Sequence, residues 1–193
     1  MAQNINKIIA QEYLKCAKDP AYFMKKYCYI QHPTRGRILF SLYPFQSEVL
    51  HLFKDNQFII TLKSRQLGIS TLAAAYSLWL MLFHKDKNIL ALATTQATAR
   101  NLVSKTMFMY DQLPKWLKLP AKEKNKLSLR LRNGSKITAK SSNADAARSE
   151  AVSLLLIDEA AFIDNISETF TAAQQTLATC GQCMALSTPN GIG

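Results

Sequence analysis

The sequence predicts an α/β fold, a mainly parallel sheet with helices on both faces, and three observations carry that expectation. Short aliphatic and β-branched runs at 58–62, 88–93, 152–157 and 184–187 alternate with longer helical stretches. The run 152–157 is apolar but for Ser153, as in a strand covered on both faces. Residues 70–83 are apolar nearly all round, which suits a helix enclosed on several sides.

Before the first strand, residues 5–17 and 20–29 read as two short helices. A loop through His32-Pro33-Thr34-Arg35-Gly36 follows. A helix is expected over 44–53, with Pro44 suited to its first turn. Residues 58–62 read as a buried strand, 95–113 as a helix closed by Pro114, and 167–178 as the last helix.

Between them, 127–132 and 135–140 form a hairpin whose register can be argued. A three-residue loop Arg132-Asn133-Gly134, with Gly134 at positive φ, sets Leu131, Leu129 and Leu127 against Ser135, Ile137 and Ala139. Arg130 then pairs with Lys136 on the other face. A two-residue turn would set Leu131 against Lys136 and mix the faces.

The bulk properties narrow the class. A length of 193 residues fits one domain, and 48% apolar with 19% charged residues describes a folded chain. The longest mostly apolar stretch, 72–83, is too short to span a bilayer, and no secretory signal is visible. A cytoplasmic protein with no membrane partner is therefore expected. Of Cys16, Cys28, Cys180 and Cys183, only the last two form a C-x-x-C, and no second pair or histidine completes a zinc site. The net charge of +11 favours a polyanionic partner. Nine basic residues (Lys115, Lys118, Lys122, Lys124, Lys126, Arg130, Arg132, Lys136, Lys140) fall between 113 and 140 against one acidic residue, Glu123. DNA contact is expected there.

The first chemical motif is Lys63-Ser64-Arg65-Gln66-Leu67-Gly68-Ile69-Ser70-Thr71, between a strand's carboxyl end and a helix N-terminus, where an anion is best held. Gly68 allows close approach, and the Ser70 hydroxyl suits Mg²⁺. Against the phosphate-loop pattern G-x-x-x-x-G-K-[ST], Lys63 replaces the first Gly and Ile69 the usual Lys. The β- and γ-phosphates of ATP still require a cation; Lys63 is the first candidate and Arg65 the second. The second motif is the strand end Ile157-Asp158-Glu159. Asp158 suits Mg²⁺, and Glu159 is placed to activate water. The third is Ser187-Thr188-Pro189-Asn190-Gly191, whose hydroxyls reach the sheet's carboxyl edge and could sense a γ-phosphate.

Ser64-Arg65-Gln66-Leu67-Gly68, Ile157-Asp158-Glu159-Ala160-Ala161-Phe162-Ile163 and Ser187-Thr188-Pro189-Asn190-Gly191 together resemble the ATPase of the large terminase subunit of tailed bacteriophages, from about residue 44 onward. The resemblance implies a P-loop NTPase of the additional-strand, RecA-like type. It also implies a homo-oligomeric ring that drives double-stranded DNA into a procapsid, with the small terminase subunit and the portal protein as partners. Gln46 matches the family's adenine-reading Gln, Arg148 its arginine reaching a neighbouring subunit's phosphate, and Ser187-Thr188 its coupling motif. Ser149 stands where a Gly often follows that arginine.

On this reading residues 1–42 form an N-terminal helical segment and 43–193 an ATPase core truncated after the coupling motif. The nuclease domain is absent and no cutting activity is expected. The alternatives are a helicase or translocase of another P-loop family, or a nucleotide-inactive DNA-binding fragment.

Overall fold

The computed structural model describes residues 2–142, 151–177 and 181–191. Two N-terminal helices, α1 (Ala2–Lys18) and α2 (Pro20–Tyr27), precede an antiparallel hairpin of β1 (Tyr29–His32) and β2 (Gly36–Leu39). Then come α3 (Pro44–Asp55), β3 (Phe58–Leu62), α4 (Ile69–Phe83), β4 (Asn88–Ala93) and α5 (Gln96–Asp111). The chain continues through β5 (Ala121–Lys124), β6 (Ser128–Leu131), β7 (Lys136–Ser141), β8 (Leu154–Asp158), α6 (Ile166–Leu177) and β9 (Gln182–Ser187).

Seven strands form the main sheet in the order β3-β9-β8-β4-β7-β6-β5. From β3 to β7 all neighbours are parallel; β6 and β5 are added antiparallel. β9, last in sequence, is inserted between β3 and β8, so both loops carrying the first two motifs flank the third.

Alternation along each strand sorts the core onto two sides. Ile89, Ala91, Leu154, Leu156, Met184 and Leu186 pack with α4 and α5, while Leu90, Leu92, Leu155, Ile157 and Cys183 pack with Leu177 of α6. Helix α4 is buried along almost its whole length, as its sequence requires. The N-terminal helices join the α4 side: Phe23 and Met24 are fully buried there, and the Trp79 indole N–H donates to the Cys16 carbonyl at 2.8 Å.

The β6–β7 register is the one argued from the leucines. Leu129 pairs with Ile137 and Arg130 with Lys136, and Gly134 has φ +88°. Leu129, Leu131 and Ile137 are fully buried.

Three expectations need correction. Residues 29–39 form a hairpin rather than a helix end and a loop; its strands are too short and too exposed to show a period. β5 was not anticipated, because Ala121-Lys122-Glu123-Lys124 is exposed on both faces and charged, as befits a protected sheet edge. β3 is a strand but is not buried throughout: Ile59 is 8% exposed, whereas Ile60 is 88% and Leu62 72% exposed. Among the described residues β3 pairs only with β9, and of its outer side chains Phe58 meets Phe170 of α6 edge-on, at 6.3 Å between ring centroids, while Ile60 and Leu62 stay exposed.

No helix among the described residues is long and apolar enough to cross a membrane. Cys16, Cys28 and Cys183 are free and buried; Cys180 lies outside the described residues.

Candidate functional site

The site forms at the carboxyl ends of β3, β9 and β8. β3 passes into its loop at Lys63, whose backbone N–H donates to the Ser187 carbonyl at 2.9 Å. Gln66 (φ +63°) and Gly68 (φ +72°) are both left-handed and curl the loop ahead of α4. Helix α4 starts at Ile69 with no side-chain cap, which leaves its positive end available to an anion.

Gln46 is only 2% exposed. Its amide oxygen accepts from the Tyr43 N–H at 3.0 Å, and its amide nitrogen donates to the Leu67 carbonyl at 2.9 Å. The side chain therefore ties the start of α3 to the loop. A β-carbon on Gly68 would lie 2.7 Å from that amide nitrogen, so Gly68 is needed for close approach as well as for its φ.

β8 ends at Asp158, which is 8% exposed and accepts from the Ser70 hydroxyl at 3.0 Å and from the Glu159 N–H at 3.2 Å. Glu159 itself has φ +54° and ψ +47°, a left-handed conformation that costs a non-glycine residue of the order of 1 kcal/mol or more. This turn is clipped to β9: the Ala161 N–H donates to Ser187 Oγ at 3.0 Å, and Asn190 donates to the Ala161 carbonyl at 2.9 Å.

Glu159 joins the three motifs. Its Oε1 accepts from Lys63 Nζ at 2.9 Å, and its Oε2 accepts from the Thr188 N–H at 3.1 Å and hydroxyl at 2.9 Å. Burial pushes this carboxyl upward, but Lys63 and then the two Thr188 donors pull it down, and the net shift lies below the ordinary glutamate value. The group is thus held ionised.

A cleft of about 1410 Å³ opens over these groups. Gln46, Lys63, Arg65, Gln66, Leu67, Gly68, Ile69, Ser70, Thr71, Glu159 and Thr188 line it. Ser64, Asp158 and Ser187 are not on its wall; Asp158 and Ser187 are nearly buried behind it. Ile69 is 2% exposed and packs chiefly into the core. Arg148 lies outside the described residues.

The sequence reading missed several lining residues: the hairpin tip Pro33-Thr34-Arg35, Tyr43, Thr94 and Thr98, and Lys105 on α5. No motif marks any of them. Only the seven-residue spacing of Thr98 and Lys105, which puts both on one helix face, could have pointed to the last pair.

The chain is similar to known proteins in sequence and fold. Residues 60–191 match the family described as the terminase large subunit, T4likevirus-type, N-terminal part. The HK97 bacteriophage large terminase is similar at 18% identity and a TM-score of 0.70, over 89% of this chain and 37% of that one. The ATPase domain of the Thermus phage P74-26 large terminase is similar at 20% identity and a TM-score of 0.61, over 79% of this chain and 67% of that domain. A large terminase from a thermophilic bacteriophage, solved with ADP, is similar at 15% identity and a TM-score of 0.60, over 76% of this chain and 39% of that one. The chain thus spans well under half the length of the whole large terminases it resembles. The α/β fold is of the RecA-like P-loop type, with β9 inserted between β3 and β8. By its sequence match and its fold, the chain belongs to the large terminase subunit family, corresponding to the N-terminal part of that subunit.

Proposed function

We propose that this chain is the ATP-hydrolysing motor part of a DNA-packaging terminase. The observation that carries the reading is the single carboxylate, Glu159, bonded at once to Lys63 of the loop and Thr188 of the coupling motif. That contact brings a cation, a base and a potential phosphate sensor to one point beside the start of α4.

A triphosphate laid across the loop meets the positive end of α4, with Lys63 and Arg65 as neutralising side chains. Ser70 and Asp158 offer a hydroxyl and a carboxylate, hard oxygen donors that suit a magnesium ion. When bound, that ion would neutralise and align the phosphates. Glu159, kept ionised by its partners, accepts a proton from the attacking water. Lys63 then has two anions to serve. A terminal phosphate competes with Glu159 for its ammonium, and Thr188 feels the change through the other carboxylate oxygen. This is a direct route from nucleotide state to the end of β9.

Gln46 fits a bracing role better than free adenine reading, since its oxygen and one N–H are already engaged; the second N–H stays available to a base. Arg148 is assigned the role of an arginine offered to a neighbouring subunit. Double-stranded DNA suits the cationic face of β6 and β7, where Arg130, Lys136 and Lys140 stand opposite the buried leucines. The small terminase subunit, the portal protein and a ring of like subunits are the proposed partners. Crystals of a related large terminase with ADP and with ATP-gamma-S support a nucleotide ligand.

The test compares the wild-type chain with Glu159→Gln. Calorimetry with ATP and Mg²⁺ should give binding to both, while phosphate release with double-stranded DNA present should fall at least about 10²-fold in the variant. Equal turnover removes Glu159 as the base. No binding heat at millimolar nucleotide removes the ATPase reading itself. Stimulation by single strands in preference to duplex would favour a helicase.

A further inference from the structure

We infer that Lys105, on α5, is a second ligand of the terminal phosphate, the cation that lets the site prefer a nucleoside triphosphate over a diphosphate. The inference rests on the nucleotide reading above and adds a residue that no motif contains.

The cleft is short of free positive charge where a third phosphate must sit. Ile69 occupies the position at which a phosphate loop usually carries Lys, and it is buried in the core. Lys63 already bonds Glu159 at 2.9 Å. Arg65 is exposed on the loop. Lys105 lines the same cleft from a different element and makes no hydrogen bond or ion pair among the described residues.

The element that carries it is tied to α4 by the next residue. The Thr106 hydroxyl donates to the Ala74 carbonyl of α4 at 3.3 Å, so α5 crosses α4 there. Ala74 lies one turn beyond Ser70, whose hydroxyl is bonded to Asp158. Lys105 thus lines the cleft from the α5 side of that crossing, and Ser70 and Glu159 stand on the same wall. By contrast the α4 N-terminus and the loop amides are placed for the inner phosphates.

The electrostatics agree with that geometry. Lys105 is an exposed residue on the cleft wall, and desolvation by the surrounding protein pushes its ammonium below the ordinary lysine value. Asp158 opposes that shift and Lys63 adds to it, so the ammonium senses both groups. A lysine kept unpaired beside a second cation is unfavourable unless an anion arrives to share.

The experiment measures the binding of ADP and of a non-hydrolysable ATP analogue, both with Mg²⁺, to the wild-type chain, Lys105→Gln and Lys105→Arg. Lys105→Gln should weaken the ATP analogue about tenfold or more, as for a lost charge-assisted hydrogen bond, and change ADP affinity by less than about threefold. Lys105→Arg should recover most of the loss, a rescue that mere packing would not give. The melting temperature without nucleotide should stay level across the three. Equal losses for both nucleotides, no loss for either, or weakened duplex DNA binding with the preference for the ATP analogue intact would each overturn the assignment of Lys105. Failure of the wild type to bind any nucleotide would instead overturn the ATPase reading and this inference with it.

Discussion

Lys63 Nζ and Glu159 Oε1 stand 2.9 Å apart, the lysine side chain 8% exposed and the glutamate 31%. The lysine is thus nearly withdrawn from water while its partner still meets the cleft. Removing the lysine leaves a half-buried carboxylate without its counter-ion, which costs more than the intact pair contributes. Lys63→Ala should therefore weaken ATP binding by about 10- to 100-fold, the range expected for losing a hydrogen bond to a charged group. Adding Ile69→Lys should recover part of this. A lysine stem at 69 can keep the core packing while its ammonium reaches the cleft that Ile69 already borders. Titration calorimetry on the single and double variants decides the matter. An unchanged affinity for Lys63→Ala would show that the loop's phosphate cation is another residue.

Thr188→Val tests the other side of the same carboxylate. The Thr188 hydroxyl donates to Glu159 Oε2 at 2.9 Å, and its loss leaves only the backbone N–H on that oxygen. The folded-state value of Glu159 is depressed, so the proposed base is ionised above it and would lose function as pH falls through it. Without the hydroxyl the value rises, and the acid limb of the pH–rate profile should move to higher pH. At neutral pH turnover should fall by about fivefold, the worth of one ordinary hydrogen bond. An acid limb that does not move would mean that Glu159 is not the titrating base.

How far the sequence revealed this site depended on whether the signal was local. The Leu127-Leu129-Leu131 alternation and Gly134 fixed the β6–β7 register because both partners lie within one short stretch. The order of loop, acids and Ser-Thr placed Lys63, Glu159 and Thr188 together, since parallel strands deliver their carboxyl ends to one edge. Other features are set by tertiary contacts. Gln46 was visible, but its partner Leu67, twenty-one residues on, was not. Lys105 looks like any lysine on a helix until the crossing of α5 over α4 is known. The exposure of Ile60, against the burial of Ile59 beside it, depends on which face of β3 is covered, which β-branched composition does not encode.

Gly68→Ala examines the brace between α3 and the loop. The new methyl would meet the Gln46 amide nitrogen at 2.7 Å, in a backbone already at φ +72°. Left-handed strain alone is worth about 1–2 kcal/mol, and a displaced Gln46 loses its bond to the Leu67 carbonyl. The melting temperature should drop, and nucleotide affinity should fall with it. Gln46→Ala should reproduce the loss of affinity without the backbone strain. A Gly68→Ala chain with unaltered affinity would show that the loop tolerates a different path.

Far from the cleft, Glu12 locks α1 to α2. Its Oε1 accepts from Lys26 at 2.6 Å and from the Tyr22 and Tyr27 hydroxyls, each at 2.7 Å. Lys26 foremost, then the two tyrosines, hold the carboxyl at about 2 against an ordinary 4.5. A depressed folded-state value means that the stabilisation is fully present above about 4.5 and is lost as pH falls towards about 2. Because Lys26 is half exposed, solvent screening limits the gain, and Glu12→Gln should cost only about 1 kcal/mol at neutral pH. The difference in melting temperature between wild type and Glu12→Gln should therefore be constant from pH 8 to about 5 and be mostly lost by pH 2, where the wild-type carboxyl is about half protonated. A gap that persists unchanged at the acid end would mean that the network is held by packing of the two tyrosines rather than by the charge on Glu12.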